Sequence, residues 1–282
     1  MEAQLLRPSQ REAAVAFLAR DPRRNLLLIE LTERLGGANV PGEATVQIVA
    51  AWRGQQIIGV ASLRPSVVFD AGVTEEILDL FTPYLSAMGV GLVKCAASAV
   101  DLLWDRLTRR QRRRVYLDRR ETTFELDHSR RLLDPHEQPP RDLAFRRAGT
   151  PDLDSLIYAA RESLREEQRP DPFLTDAVSF RGWVHGRIPR ARLAALDGVV
   201  RFVGYADVQR EWGWLIQGVY TWPESRRMGL ARYAMSEICR EAFAAGAAHV
   251  QLAVVDGNEP ARALYEGLGF TPGDSLRTIL FR

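Results

Sequence analysis

Apolar positions along this chain follow two periods in turn. From Gln10 to Leu35 they recur at helical spacing, broken at Asp21-Pro22, where proline cannot continue a helix. Val46 to Leu63 reads as two apolar strands around the polar turn Arg53-Gly54-Gln55, and a helix is expected at Val100 to Leu107. Residues 128 to 142 lose all periodicity and gather Pro135, Pro139 and Pro140, which predicts a linker. Beyond it, Asp152 to Arg165 has the spacing of an amphipathic helix, and Leu193 to Val208 again predicts two strands, now around Asp197-Gly198. Ile57 to Leu63 (IIGVASL) can be laid on Phe202 to Val208 (FVGYADV), each with an internal glycine, Gly59 and Gly204. Such a match points to an internal duplication.

The pattern then sharpens. Trp212 to Thr221 (WGWLIQGVYT) is β-rich and ends before Pro223, and apolar positions recur afterwards at Leu230, Ala234, Met235, Ile238, Cys239 and Ala242. Strand, tight loop and helix therefore follow one another, with Gly229 and Ala231 where the helix begins. A helix start offers unpaired N–H groups and the positive end of the dipole, so it suits a phosphate. Gly229 lets the backbone approach closely, and Arg226 and Arg227 add charged donors. A strand at His249 to Val255, the turn Asp256-Gly257-Asn258 and a helix from Pro260 complete the segment, with Gly269 placed beyond the helix end.

Composition narrows the reading. The 282 residues suit two domains of about 140 residues each. A hydrophobic share of 46% against 26% charged residues is that of a globular chain. No apolar run reaches the roughly 18 residues of a membrane span, and the charged N-terminus does not read as a signal, so a cytoplasmic protein is expected. Cys95 and Cys239 lack partners at metal-ligand spacing and read as reduced core residues, and no metal is expected. Lys94 stands alone among arginines, a bias that fits a bacterial, GC-rich coding sequence. Arg106 to Arg120 is dense in arginine, but no aromatic platform accompanies it, so it reads as a solvated helix and its exit loop rather than a nucleic-acid surface.

GVYTWPESRRMGLA followed by VVDGNEPARALYEGLGF resembles the GNAT superfamily of acetyl-CoA-dependent N-acetyltransferases. The family pattern Q/R-x-x-G-x-G/A is matched by Arg226, Gly229 and Ala231, and N-x-x-A-x-x-x-Y-x-x-x-G-F by Asn258, Ala261, Tyr265, Gly269 and Phe270. The resemblance is firm from about Val199 to Phe281, fainter from Arg141 to Arg192, and topological before that. It implies an α/β chain of the α+β kind, made of two tandem GNAT-like domains, each a mixed, mostly antiparallel sheet flanked by helices. Residues 1–127 would be a degenerate domain, 128–141 a linker and 142–282 the catalytic domain.

By the same resemblance Val219, Tyr220 and Thr221 lie on a splayed strand facing the pantetheine arm. Arg226, Arg227, Met228, Gly229, Leu230 and Ala231 hold the pyrophosphate, and Asn258 sits near the pantetheine or caps the last helix. Tyr265 protonates the departing thiolate of acetyl-CoA. The general base is open among Glu166, Glu167, Asp171 and Glu211, with Glu167 taken as the leading candidate, and ordered water is the other course. The implied reaction is acetyl transfer to a primary amine, small-molecule or peptide, by direct attack in a ternary complex. The alternative is a non-catalytic acyl-CoA sensor or scaffold. A homodimer is compatible with either. The N-terminal half carries no R-x-x-G-x-G/A pattern, so it is expected to be silent toward the cofactor.

Overall fold

The structure is a computed structural model that describes residues 1–38, 43–110, 112–129 and 143–282. Most of the expected linker, from residue 130 onward, lies outside the described residues. The chain divides into two compact units, one of residues 1–39, 43–122 and 274–282, the other of residues 40–42 and 123–273. The last nine residues, 274 to 282, expected with the C-terminal domain, thus lie in the first unit.

In the first unit β1 (Glu2–Leu5) leads to α1 (Arg11–Leu18) and α2 (Leu26–Glu33), then to β2 (Gln47–Arg53), β3 (Gln56–Arg64) and the two-residue β4 (Val68–Phe69). These strands form an antiparallel sheet in the order β1-β2-β3-β4. There follow α3 (Glu75–Ser86), β5 (Gly91–Ala96), α4 (Ala97–Arg110) and β6 (Val115–Asp127), which runs on into the second unit from Thr123. The break at Asp21-Pro22 and the turn at Arg53-Gly54-Gln55 fall where the sequence places them. The helix α3 does not appear in the sequence pattern, because Pro83 interrupts it; Ile77, Leu78, Phe81 and Leu85 nonetheless form its buried stripe.

The second unit repeats this order. It runs β7 (Leu143–Arg147), α5 (Leu153–Glu166), α6 (Ala177–Gly186), β8 (Ala191–Leu196), β9 (Val199–Arg210), β10 (Gly213–Thr221), α7 (Leu230–Ala244), β11 (His249–Val255) and α8 (Glu259–Glu266), and leads into β12 (Thr271–Phe281), which belongs to the first unit from Asp274. Its strands lie in the order β6-β11-β10-β9-β8-β7, and the β10–β11 pair is parallel while β7–β8, β8–β9 and β9–β10 are antiparallel. Residues 276 to 281 of β12 pair antiparallel with β5 in the first unit.

The duplication read from the two hairpins has a packing reason in both units. A Cβ on Gly59 of β3 would meet Ile77 of α3 at 2.6 Å, and one on Gly204 of β9 would meet Ile238 of α7 at 3.2 Å. Each glycine lets the helix after the hairpin settle against its sheet. One core cluster joins α7 and α8 to the sheet through Phe202, Ile216, Leu252, Met235, Ile238 and Tyr265. A second joins α5 and α6 through Leu156, Ile157, Phe180, Val184, Val203 and Tyr220. The predicted stripe of α7, Leu230, Ala234, Met235, Ile238, Cys239 and Ala242, is buried throughout. Its outer end is tied down by Arg192, fully buried on β8, which grips Glu241 with two bonds of 2.6 and 2.8 Å.

Within the described residues no helix is long and apolar enough to cross a membrane. The arginine run from 106 to 120 spans the end of α4 and the start of β6, and several of its described members are occupied. Arg106 bonds Asp79 and Glu75, Arg113 donates to the carbonyls of Met88 and Ser86, Arg119 bonds Glu121, and Arg120 bonds Asp101. Both cysteines are free and buried, and burial pushes each thiol up to about 12.

Lys94 has a structural post. Its ammonium donates to Glu121 at 2.5 Å, and Arg119 and the Thr278 hydroxyl donate to the same carboxylate at 3.0 and 2.7 Å. Burial works to raise the Glu121 pKa, but the charges of Lys94 and Arg119 outweigh it and hold the group at about 2 against the ordinary 4.5. A depressed carboxylate contributes stability above its unfolded pKa and loses it as pH falls through the folded value. Lys94→Met should therefore cost about 3 kcal/mol at pH 7, the low end for breaking a buried pair, because Arg119 and Thr278 remain. Urea unfolding at pH 7 and at pH 3 checks this: the deficit should shrink at the lower pH, and a variant as stable as the parent at pH 7 would contradict it.

Candidate functional site

The site is built on β10, which pairs with β9 along its length but with β11 only at Trp214↔Val250 and Leu215↔Gln251. From Ile216 onward the two parallel strands part. A bulge accompanies the parting: between Gln217↔Tyr205 and Tyr220↔Val203, two residues, Gly218 and Val219, stand opposite Gly204 alone. Gly218 has φ 58°, and a Cβ there would approach the Tyr205 ring at 3.0 Å, so both conformation and space demand glycine. On the β11 side, the main-chain groups of β10 from Gly218 to Thr221, including those of Val219 and Tyr220, have no ladder partner in the register between the two strands. Extended backbone without a strand partner on one side suits an amide-bearing arm, and among these groups the Thr221 carbonyl accepts from Arg226.

The bulge also switches faces. Ile216 and Val219 turn toward the core beneath α7 and α8, whereas Tyr220 and Trp222 turn toward α5 and α6. The gap therefore opens on two chemically different sides.

At the end of β10 a single turn, Pro223–Ser225, leads to Arg226 in extended conformation, Arg227 at φ 62°, exposed Met228 and Gly229 at φ 77°. Gly229 is the N-cap of α7, which has no side-chain cap and no acidic residue in its first turn. Leu230 and Ala231 open the helix, so their N–H groups belong to the unpaired first turn. A positive φ at the non-glycine Arg227 is strain localised beside this helix start. The counterpart in the first unit lacks these features. Its β4 has two residues, and α3 begins with Thr74, whose hydroxyl accepts from Ile77 N–H at 3.4 Å, followed by Glu75 and Glu76. An occupied cap and two carboxylates repel a phosphate where α7 invites one.

Arg226 does not point at the helix start. Its Nε donates to the Thr221 carbonyl at 3.0 Å and its Nη2 to Glu166 Oε1 at 2.6 Å, and its guanidinium lies 5.6 Å from the Tyr220 ring centre. Tyr220 in turn donates its hydroxyl to the same Glu166 oxygen at 3.4 Å. Burial, together with the nearby Glu166 charge, pushes the Tyr220 phenol up to about 12.

Of the four base candidates, Glu166 is held by β10 through the Tyr220 hydroxyl. Glu167, the leading candidate from sequence, accepts from Ser163 at 3.4 Å and from Arg169 at 3.4 Å. Asp171 binds Arg161 at 2.9 Å and caps the turn at Phe173. Glu211 lies in the β9–β10 turn, at the opposite end of a strand about 30 Å long.

Tyr265 is buried on α8, its ring 6.5 Å from that of Phe124 and 5.7 Å from that of Phe270, in the same core as Ile216 and Leu252. Burial, with Cys239 nearby, raises its pKa, so the phenol stays protonated at any working pH. Asn258 is the N-cap of α8 and accepts from Ala261 N–H at 3.2 Å. Within the described residues no group of three or more His, Cys, Asp or Glu could hold a metal ion.

Residues 154–270 match the model of the acetyltransferase (GNAT) family. Solved structures resemble the whole chain. One is a Drosophila protein at 14% identity with a TM-score of 0.75, covering 99% of this chain and 98% of that one. Another is a tandem GNAT protein from the clavulanic acid biosynthesis pathway, at 14% identity and a TM-score of 0.61, covering 100% and 98%. A third is a GCN5-related N-acetyltransferase from Sphaerobacter thermophilus, at 14% identity and a TM-score of 0.59, covering 99% and 94%. No curated protein sequence matches significantly. Residues 154–270 are thus similar to the GNAT acetyltransferase family, and over its whole length the chain has the fold of solved structures that include a tandem GNAT protein.

Proposed function

We propose that the second unit transfers an acetyl group from acetyl-CoA to a primary amine of a small molecule or peptide, in a ternary complex, and that the first unit binds no cofactor. The observation that carries this reading is the parting of β10 from β11, which leads directly to the uncapped, positive-φ start of α7. The pantetheine arm would lie along Val219, Tyr220 and Thr221, and the pyrophosphate over residues 226 to 231. Asn258 serves as the cap of α8.

The two faces of the gap divide the proton handling. On the α7/α8 side Tyr265 would meet the sulfur. On the α5/α6 side Glu166, rather than Glu167, would meet the amine. The ammonium gives a proton to Glu166, directly or through water, and the neutral nitrogen attacks the thioester carbonyl. The C–N bond forms as the C–S bond breaks, and the thiolate takes the Tyr265 proton. The surplus proton on nitrogen passes to water, from which Tyr265 is reprotonated.

Gly229→Asp should abolish acetyl-CoA binding by calorimetry with a native circular dichroism spectrum, because it sets a carboxylate where the pyrophosphate approaches. Gly229→Asn, which tolerates the same left-handed backbone, serves as the control for strain. Equal affinity in the Asp variant and the parent would place the phosphate site elsewhere.

Tyr265→Phe preserves the ring packing while removing the acid, an effect typically worth about 10²- to 10⁴-fold in rate. Thiol release at saturating acetyl-CoA should fall at least tenfold by that measure, with a nearly unchanged dissociation constant. Normal turnover would refute the assignment and leave Tyr265 as a packing residue.

A further inference from the structure

Arg226 is the first residue of the pyrophosphate loop, yet its side chain is spent on the opposite face of the strand. Its guanidinium bridges the Thr221 carbonyl (3.0 Å) and Glu166 (2.6 Å), while Tyr220 holds the same carboxylate oxygen. The Arg226 and Glu166 side chains are 43% and 40% exposed, so neither is locked by burial and the pair can exchange partners. Resting on the acetyl-CoA reading above, we infer that Arg226 is a latch that occupies Glu166 until acetyl-CoA arrives, so that cosubstrate phosphates and Glu166 compete for one guanidinium.

The exchange follows from the charges. Against Glu166 the guanidinium has one exposed carboxylate; at the helix start a pyrophosphate offers several anionic oxygens and a stronger set of charge-assisted bonds. An exposed ion pair holds an equilibrium by a factor of only about two to five, so it yields to such a ligand. Once Arg226 leaves, the Glu166 carboxylate keeps the Tyr220 hydroxyl and loses its counter-charge. It then attracts a cationic amine and can accept its proton. Without cosubstrate the same carboxylate is neutralised, and an amine that enters early finds no partner. Arg226 is thus a positioning residue, acting through Glu166.

Calorimetric titration with acetyl-CoA alone tests the latch without knowledge of the amine. Four proteins are compared: the parent, Glu166→Gln, Arg226→Gln and the double variant, each first checked for a native circular dichroism spectrum. Removing the competitor should tighten acetyl-CoA binding by Glu166→Gln about threefold, the strength of such a pair. Arg226→Gln should weaken it, and the double variant should bind like Arg226→Gln. Unchanged or weaker binding by Glu166→Gln overturns the latch, as does undiminished affinity in Arg226→Gln. A threefold gain that persists in the double variant also overturns it, since the effect would then be repulsion between Glu166 and the phosphates. Failure of the parent to bind acetyl-CoA would instead remove the acetyltransferase reading itself, and the latch with it.

Discussion

Two parallel strands hold together at Trp214↔Val250 and Leu215↔Gln251 and then part, and the proposed chemistry depends on that parting. A parallel pair in a buried sheet normally continues its hydrogen bonds, because unpaired backbone inside a protein is costly. Here the ladder stops, and the bulge at Gly218 and Val219 turns the free edge of β10 into a lined gap. The groups of the proposed reaction are assigned around that gap: the start of α7 follows β10, Tyr265 belongs to the core on one side, and Tyr220 with Glu166 lies on the other. In the proposed reading the amide-bearing arm of the cosubstrate would replace the missing strand bonds, so that binding energy and reaction geometry would come from one feature.

The same order of elements is used twice, and the two copies differ at one place. Gly59 and Gly204 serve identical packing duties, admitting Ile77 of α3 and Ile238 of α7. The divergence lies at the following helix start. In the second unit β10 runs nine residues into a glycine-capped helix, whereas in the first β4 runs two and Thr74, Glu75 and Glu76 close the helix start chemically. A fold can lose a ligand in this way without losing its core, since the changes fall on loop and cap residues and spare the buried stripe.

Local rules made much of this legible. Asp197-Gly198 and Arg53-Gly54 mark their turns because left-handed backbone selects such residues, and the α7 stripe is readable because its period is unbroken. The loop from Arg226 to Ala231 is equally local. What sequence could not decide depends on packing at a distance. Glu166 and Glu167 are neighbours at the end of α5, and only the seating of that helix beside β10 directs one to Tyr220 and Arg226 and the other to Ser163 and Arg169. Arg226 itself reads as a phosphate ligand until Thr221 and Glu166 are placed beside it. Residues 274 to 281 of β12 belong to the first unit, where 276 to 281 pair with β5, a relation with no trace in residue order. In α3, Thr74 and the two glutamates are a readable helix start, but Pro83 hides the stripe behind them.

The claim that one half works and the other is closed is tested most directly by the stoichiometry of acetyl-CoA binding to the intact chain. Calorimetry at saturating cosubstrate should give one molecule bound per chain. Two per chain would show that the helix start at Thr74 still accepts a pyrophosphate, and none would show that the parted strands of the second unit are not a cosubstrate site.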